Sequence, residues 1–65
     1  MNIKLSYTEA IVVRSALDST IRDSHELLLD TEFEKKYPNC YKSVQDECER
    51  MIVIRDRIQA ELDKL

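Results

Sequence analysis

Residues 38–65, PNCYKSVQDECERMIVIRDRIQAELDKL, decide the fold. Within them Tyr41, Val44, Cys48, Met51, Arg55, Ile58, Leu62 and Leu65 recur at spacings of 3-4-3-4-3-4-3, a heptad seam more than three repeats long. Pro38 supplies a φ suited to the first helical turn and holds Tyr37 out of helical geometry, so any earlier helix stops there. The stretch predicts a helix over about 39–64. Only Arg55 interrupts the seam, with Ile54 and Glu47 flanking it.

Upstream, Ser6-Tyr7-Thr8-Glu9 reads as a capping box, in which hydroxyl and carboxylate each satisfy a backbone donor at a helix start, and Leu5 is placed to staple the entry. At about 100° per residue, Ala10, Val13, Ile21, Ser24 and Leu28 fall within about 40° of Leu17, while Asp18, Arg22, Glu26, Asp30, Ser15 and Ser19 fall on the opposite side. A first helix is expected over about 7–29. The connector, about 30–38, is polar except for Phe33 and Tyr37. Thr31 and Glu34 form a second capping-box pattern there, compatible with a short helical turn. So short a connector favours antiparallel neighbours. The pairing sets Leu28 near Cys40, Ile21 near Cys48, Leu17 near Met51, Val13 near Arg55 and Ala10 near Ile58, with Ile3 and Leu5 covering Leu62 and Leu65. The fold class is all-α: one domain, 1–65, forming an antiparallel helical hairpin.

Composition narrows the function. The chain has no glycine, where about four or five would be ordinary at 65 residues. It therefore lacks a Gly-rich phosphate loop, a dinucleotide fingerprint and the usual tight hairpin turn, which excludes the common nucleotide-dependent enzymes. Net charge is −3. Residues 1–30 hold three basic and five acidic groups, 31–38 two and two, and 39–65 five and six, so no segment is a basic patch for direct nucleic-acid binding. The longest uncharged apolar run, Met51-Ile52-Val53-Ile54, is too short to cross a membrane. No targeting segment is evident, and a soluble cytoplasmic protein with reduced thiols is expected.

Cys40 and Cys48 stand about 12 Å apart along a helix, too far for a disulfide, and both are expected as small apolar core groups. His25 has no nucleophile at a local spacing and is expected at the edge of the helix interface near Glu47, as a hydrogen-bonded structural residue. Asp18, Asp23, Glu26, Asp30, Glu32 and Glu34 cover a wide arc without the turn glycine of a calcium loop and read as a solvated face. No catalytic residue, cofactor or metal site is predicted. Tyr7, Tyr37 and Tyr41, with Phe33, lie near the connector and helix ends, where they either anchor a binding surface or close the open end of the hairpin.

A two-helix hairpin has one interface, yet Ile11, Val12, Leu29, Ile52 and Val53 lie off it. A chain this small buries only about 60% of its unfolded surface and needs further support. These residues, with Arg55, are the predicted contacts of a homodimer completing a four-helix bundle, or of another protein partner, with Val12, Ile52 and Val53 at or near the dimer contact. Arg55 itself either lays its methylenes on the core with its charge in water, or pairs with Glu47 or a subunit mate to specify register. Arg14 occupies the corresponding position on the first helix.

The run Leu5-Ser6-Tyr7-Thr8-Glu9, then Ala16-Leu17, the polar connector, and Glu49-Arg50 through Ile58 and Leu62 resembles the short two-helix accessory proteins of tailed bacteriophages and prophages. The resemblance implies a non-enzymatic protein that binds and modifies a host or phage protein, including inhibitors of host defence, in the host cytoplasm if phage-encoded. The expected function is a small acidic protein-binding inhibitor or regulator. Its charge would let it compete for a nucleic-acid-binding groove on its target. A structural component whose self-association is its role is the alternative. An enzyme or metal protein would require Cys40, Cys48 and His25 to converge.

Overall fold

In a computed structural model, which describes residues 4–64, the chain forms three helices: α1 (Tyr7–Leu28), α2 (Thr31–Lys36) and α3 (Pro38–Asp63). Among the described residues there is no strand. Ile3 and Leu65, to which the sequence pattern assigns mutual cover, lie outside the described residues.

Helix starts follow local chemistry. The Glu9 amide donates to Ser6 Oγ at 3.2 Å and the Ser6 amide donates to Glu9 Oε1 at 3.0 Å, which completes the capping box. The Ser6 amide, with help from the Ser6 hydroxyl, holds the Glu9 carboxyl below its usual range. Leu5 does not bury as a staple; it is exposed. The expected Thr31–Glu34 box is replaced by an Asp30 cap, whose Oδ1 accepts from the Glu32 and Phe33 amides at 2.9 and 3.3 Å. One residue earlier, a short carboxylate reaches two orphan donors at once. Pro38 opens α3, and Tyr37 before it sits at φ −134° and ψ 64°.

Chain reversal needs no positive φ anywhere among the described residues. Leu29 ends α1 in right-handed geometry, φ −82° and ψ −10°, and extended Asp30 redirects the chain. A glycine-free sequence is compatible with this turn because no position requires the left-handed region.

α1 and α3 run antiparallel, joined by Arg14 to Gln59 and Asp18 to Arg55 near one end and Leu28 to Tyr41 near the other. The body measures 44 × 22 × 14 Å. Its radius of gyration is 14.3 Å, against about 11 Å for a compact chain of this length. The smallest extent is little more than one helix diameter. The molecule is therefore a single layer of helices.

Such a layer encloses little. Among the described residues only Ala10, Ile21 and Cys48 are buried. The accessible surface is 5350 Å², where a folded monomer of 7.7 kDa ordinarily exposes about 4,300 Å². Of the described side chains Cys48 is the most enclosed, at 2% exposure, whereas Cys40, also expected in the core, is exposed because it stands in the first turn of α3.

Candidate protein-binding surface

The two sides of the layer differ in chemistry. One side carries a polar ladder across the helix pair. Arg14 Nη1 donates to Gln59 Oε1 at 2.9 Å, and Gln59 Nε2 donates onward to Asp63 Oδ1 at 2.8 Å. Arg55 Nη1 donates to Asp18 Oδ1 at 3.2 Å, while its Nη2 and Nε donate to Asp56 Oδ1 at 3.0 and 3.2 Å. These bonds, Asp56 foremost and Asp18 next, hold the Arg55 guanidinium more firmly protonated than usual.

This arrangement corrects two expectations. Arg55 pairs with Asp18 and Asp56, not with Glu47, which instead meets Arg50 at 3.5 Å. Asp18 belongs to the flank of the interface and not to its far side, since about 100° of rotation from Leu17 leaves its carboxylate within reach of a long guanidinium. Arg14 finds an amide oxygen in place of a carboxylate.

The other side is richer in aliphatic groups. Each of the four ladder residues that bond across the helix pair is preceded by an aliphatic one: Val13-Arg14, Leu17-Asp18, Ile54-Arg55 and Ile58-Gln59. Rotation of about 100° per residue carries these aliphatics to the flank away from the ladder. Val13, Leu17 and Ile58 are half-buried there and Ile54 is exposed, with half-buried Met51 and exposed Leu27 on the same flank. Those repeated aliphatic–polar pairs are the signal by which the two faces can be recognised from sequence.

The predicted contact residues divide. Val12, Leu29 and Val53 are exposed, Leu29 by 81%. Ile11 and Ile52 are half-buried, so Ile52 does not point fully away from the α1–α3 contact. Arg55 is tied into the ladder. An open depression on the outside of α3 is lined by Asp46, Glu49, Arg50, Val53 and Ile54. One helix alone forms it, so it is relief on a surface and not an enclosed ligand cavity.

The turn end is aromatic. The Phe33 ring lies 6.2 Å from Tyr37 and 6.1 Å, edge-on, from Tyr41. Tyr41 Oη donates to the Leu28 carbonyl at 3.2 Å, tying the start of α3 to the end of α1. Partial burial, reinforced by the Glu34 carboxylate, pushes the Tyr41 phenol above its usual range. Phe33 and Tyr41 are half-buried, while Tyr37 is 58% exposed. The cluster closes the hairpin and leaves one ring open.

His25 is exposed and, among the described residues, its imidazole makes no hydrogen bond, contrary to the structural role expected of it. It lies in the last turn of α1, where an imidazole reaches solvent freely. Among the described residues no three His, Cys, Asp or Glu side chains gather as a metal site, and no helix is long and apolar enough to cross a membrane. The chain matches no protein-family model, no curated protein and no solved structure.

Proposed function

We propose that this chain is a small non-enzymatic recognition module that works as a homodimeric four-helix bundle and binds a larger protein as its inhibitor or regulator. The observation that supports this reading is the surface. The hairpin exposes about 1,000 Å² more than a monomer of its mass should, and a standard interface takes about 800 Å² from each partner. The ladder face and the open Tyr37 ring offer charged, amide and aromatic groups suited to protein recognition, with an acidic balance that complements a basic target.

The test is affinity capture with the tagged chain, followed by reconstitution with the purified target. A saturable complex of fixed stoichiometry that alters the target's activity supports the reading. Unlimited self-assembly with no other bound protein would overturn it and favour a structural component.

A further inference from the structure

The apolar residues of α1 and α3 are not centred on the contact the two helices make. Their pattern centres on Leu17 and Met51, whereas the buried and half-buried arc centres about 40° further round on both helices, drawing in Ile11, Asp18, Ile52 and Gln59. The displaced remainder lies on the side opposite the ladder. A helix with two neighbours has its apolar arc centred between them, and this is the pattern of a helix whose second neighbour is missing.

We infer that a second copy of this chain packs on the face formed by Val13, Leu17, Leu27, Met51, Ile54 and Ile58. The inference rests on the dimeric reading above and specifies its interface, leaving the ladder and the aromatic end for the regulated protein. Dimensions favour an identical partner. A second layer set about 10 Å away thickens the 14 Å dimension to about 24 Å, matching the 22 Å width and giving the square section of a four-helix bundle. The surface in excess, about 1,000 Å², is close to one partner's share of a standard interface. Glu47, with Arg50 beside it, lies on this face between Met51 and Ile54, and Glu61 with Lys64 lies toward its far end, so a twofold contact can set carboxylates of one copy against cations of the other. Thr20, on the same flank, already donates its hydroxyl to the Ala16 carbonyl at 2.9 Å and brings no unpaired donor into the contact.

Size-exclusion chromatography with light scattering on wild type, Ile54→Asp, Ile54→Ala and Val53→Asp, with helicity checked by circular dichroism, tests this face. Wild type and Val53→Asp are expected as dimers, Ile54→Asp as a helical monomer, and Ile54→Ala as a dimer weakened about tenfold. If Ile54→Asp loses its helicity, the Ile54→Ala arm decides: weakened association supports the face and unchanged association overturns it. A dimer broken by Val53→Asp and indifferent to Ile54 overturns the face while leaving dimerisation intact. A monomeric wild type overturns both.

Discussion

Ile21→Ala is the most demanding perturbation of the hairpin's own packing. Ile21 is 4% exposed and is the one large aliphatic side chain buried among the described residues. The change removes three carbon groups, worth about 0.8 kcal/mol each in transfer free energy, or about 2.4 kcal/mol before any cavity contribution. A single helical layer collapses around a void more readily than a deep core, so the total belongs near the lower half of the about 2–5 kcal/mol range, close to 3 kcal/mol. A chain of 65 residues has about 3–10 kcal/mol of stability to lose, and one with so little enclosed surface sits low in that range. Urea unfolding followed by helical ellipticity should show most of the stability gone, with a midpoint in thermal melts lowered by more than about 10 °C. Protein concentration must be held fixed, because the proposed dimer would add to apparent stability. Gln45→Ala, on the exposed surface of α3, serves as control and should stay within about 0.5 kcal/mol of wild type. A cooperative transition for Ile21→Ala shifted by less than about 1 kcal/mol would refute the packing described.

Three further outcomes follow from the same geometry. Because the folded-state Glu9 carboxyl is held below its ordinary 4.5, its contribution to stability is present above that value and is lost as pH falls through the lowered one. Glu9→Gln should remove that acid-side component, and identical pH–stability curves for the two proteins would contradict the capping box. Arg55→Met and Asp18→Asn should be non-additive in a double-mutant cycle at low salt, with the coupling fading in molar salt; strict additivity would mean that the two groups do not interact. A thiol reagent should label exposed Cys40 promptly and buried Cys48 only through unfolding, so equal labelling rates measured by mass spectrometry would place Cys48 outside the core.

How far the sequence discloses this structure depends on the range of the interaction concerned. The Ser6–Glu9 box and the Pro38 start rest on neighbours within one turn, and both reappear in the structure, as does the helix that the α3 seam predicts. Between Asp30 and Thr31 local chemistry favours either cap, and only the path of the turn selects the carboxylate. The partner of Arg55 was obscured by its reach. A helical wheel places Cβ atoms, whereas a guanidinium at the end of a long stem bonds a carboxylate on the flank of the facing helix. Helix phase is the larger discrepancy. Hydrophobic periodicity reports the resultant direction of every neighbour a helix has, so the Leu17 and Met51 axes point between the α1–α3 contact and the face left open. Val53 stands out in the sequence as a large residue far from the seam, while Ile54 looks like ordinary seam flank. In the structure Ile54 is exposed on the flank that carries half-buried Leu17 and Met51, so the proposed dimer contact shifts from the outside of α3, where Val53 stands, to that flank.

If one helical layer is half of the working molecule, sedimentation equilibrium of the unmodified chain over micromolar to millimolar concentrations should show a reversible transition from the 7.7 kDa chain to a species of twice that mass, with no larger assembly. A single 7.7 kDa species across the whole range would contradict it.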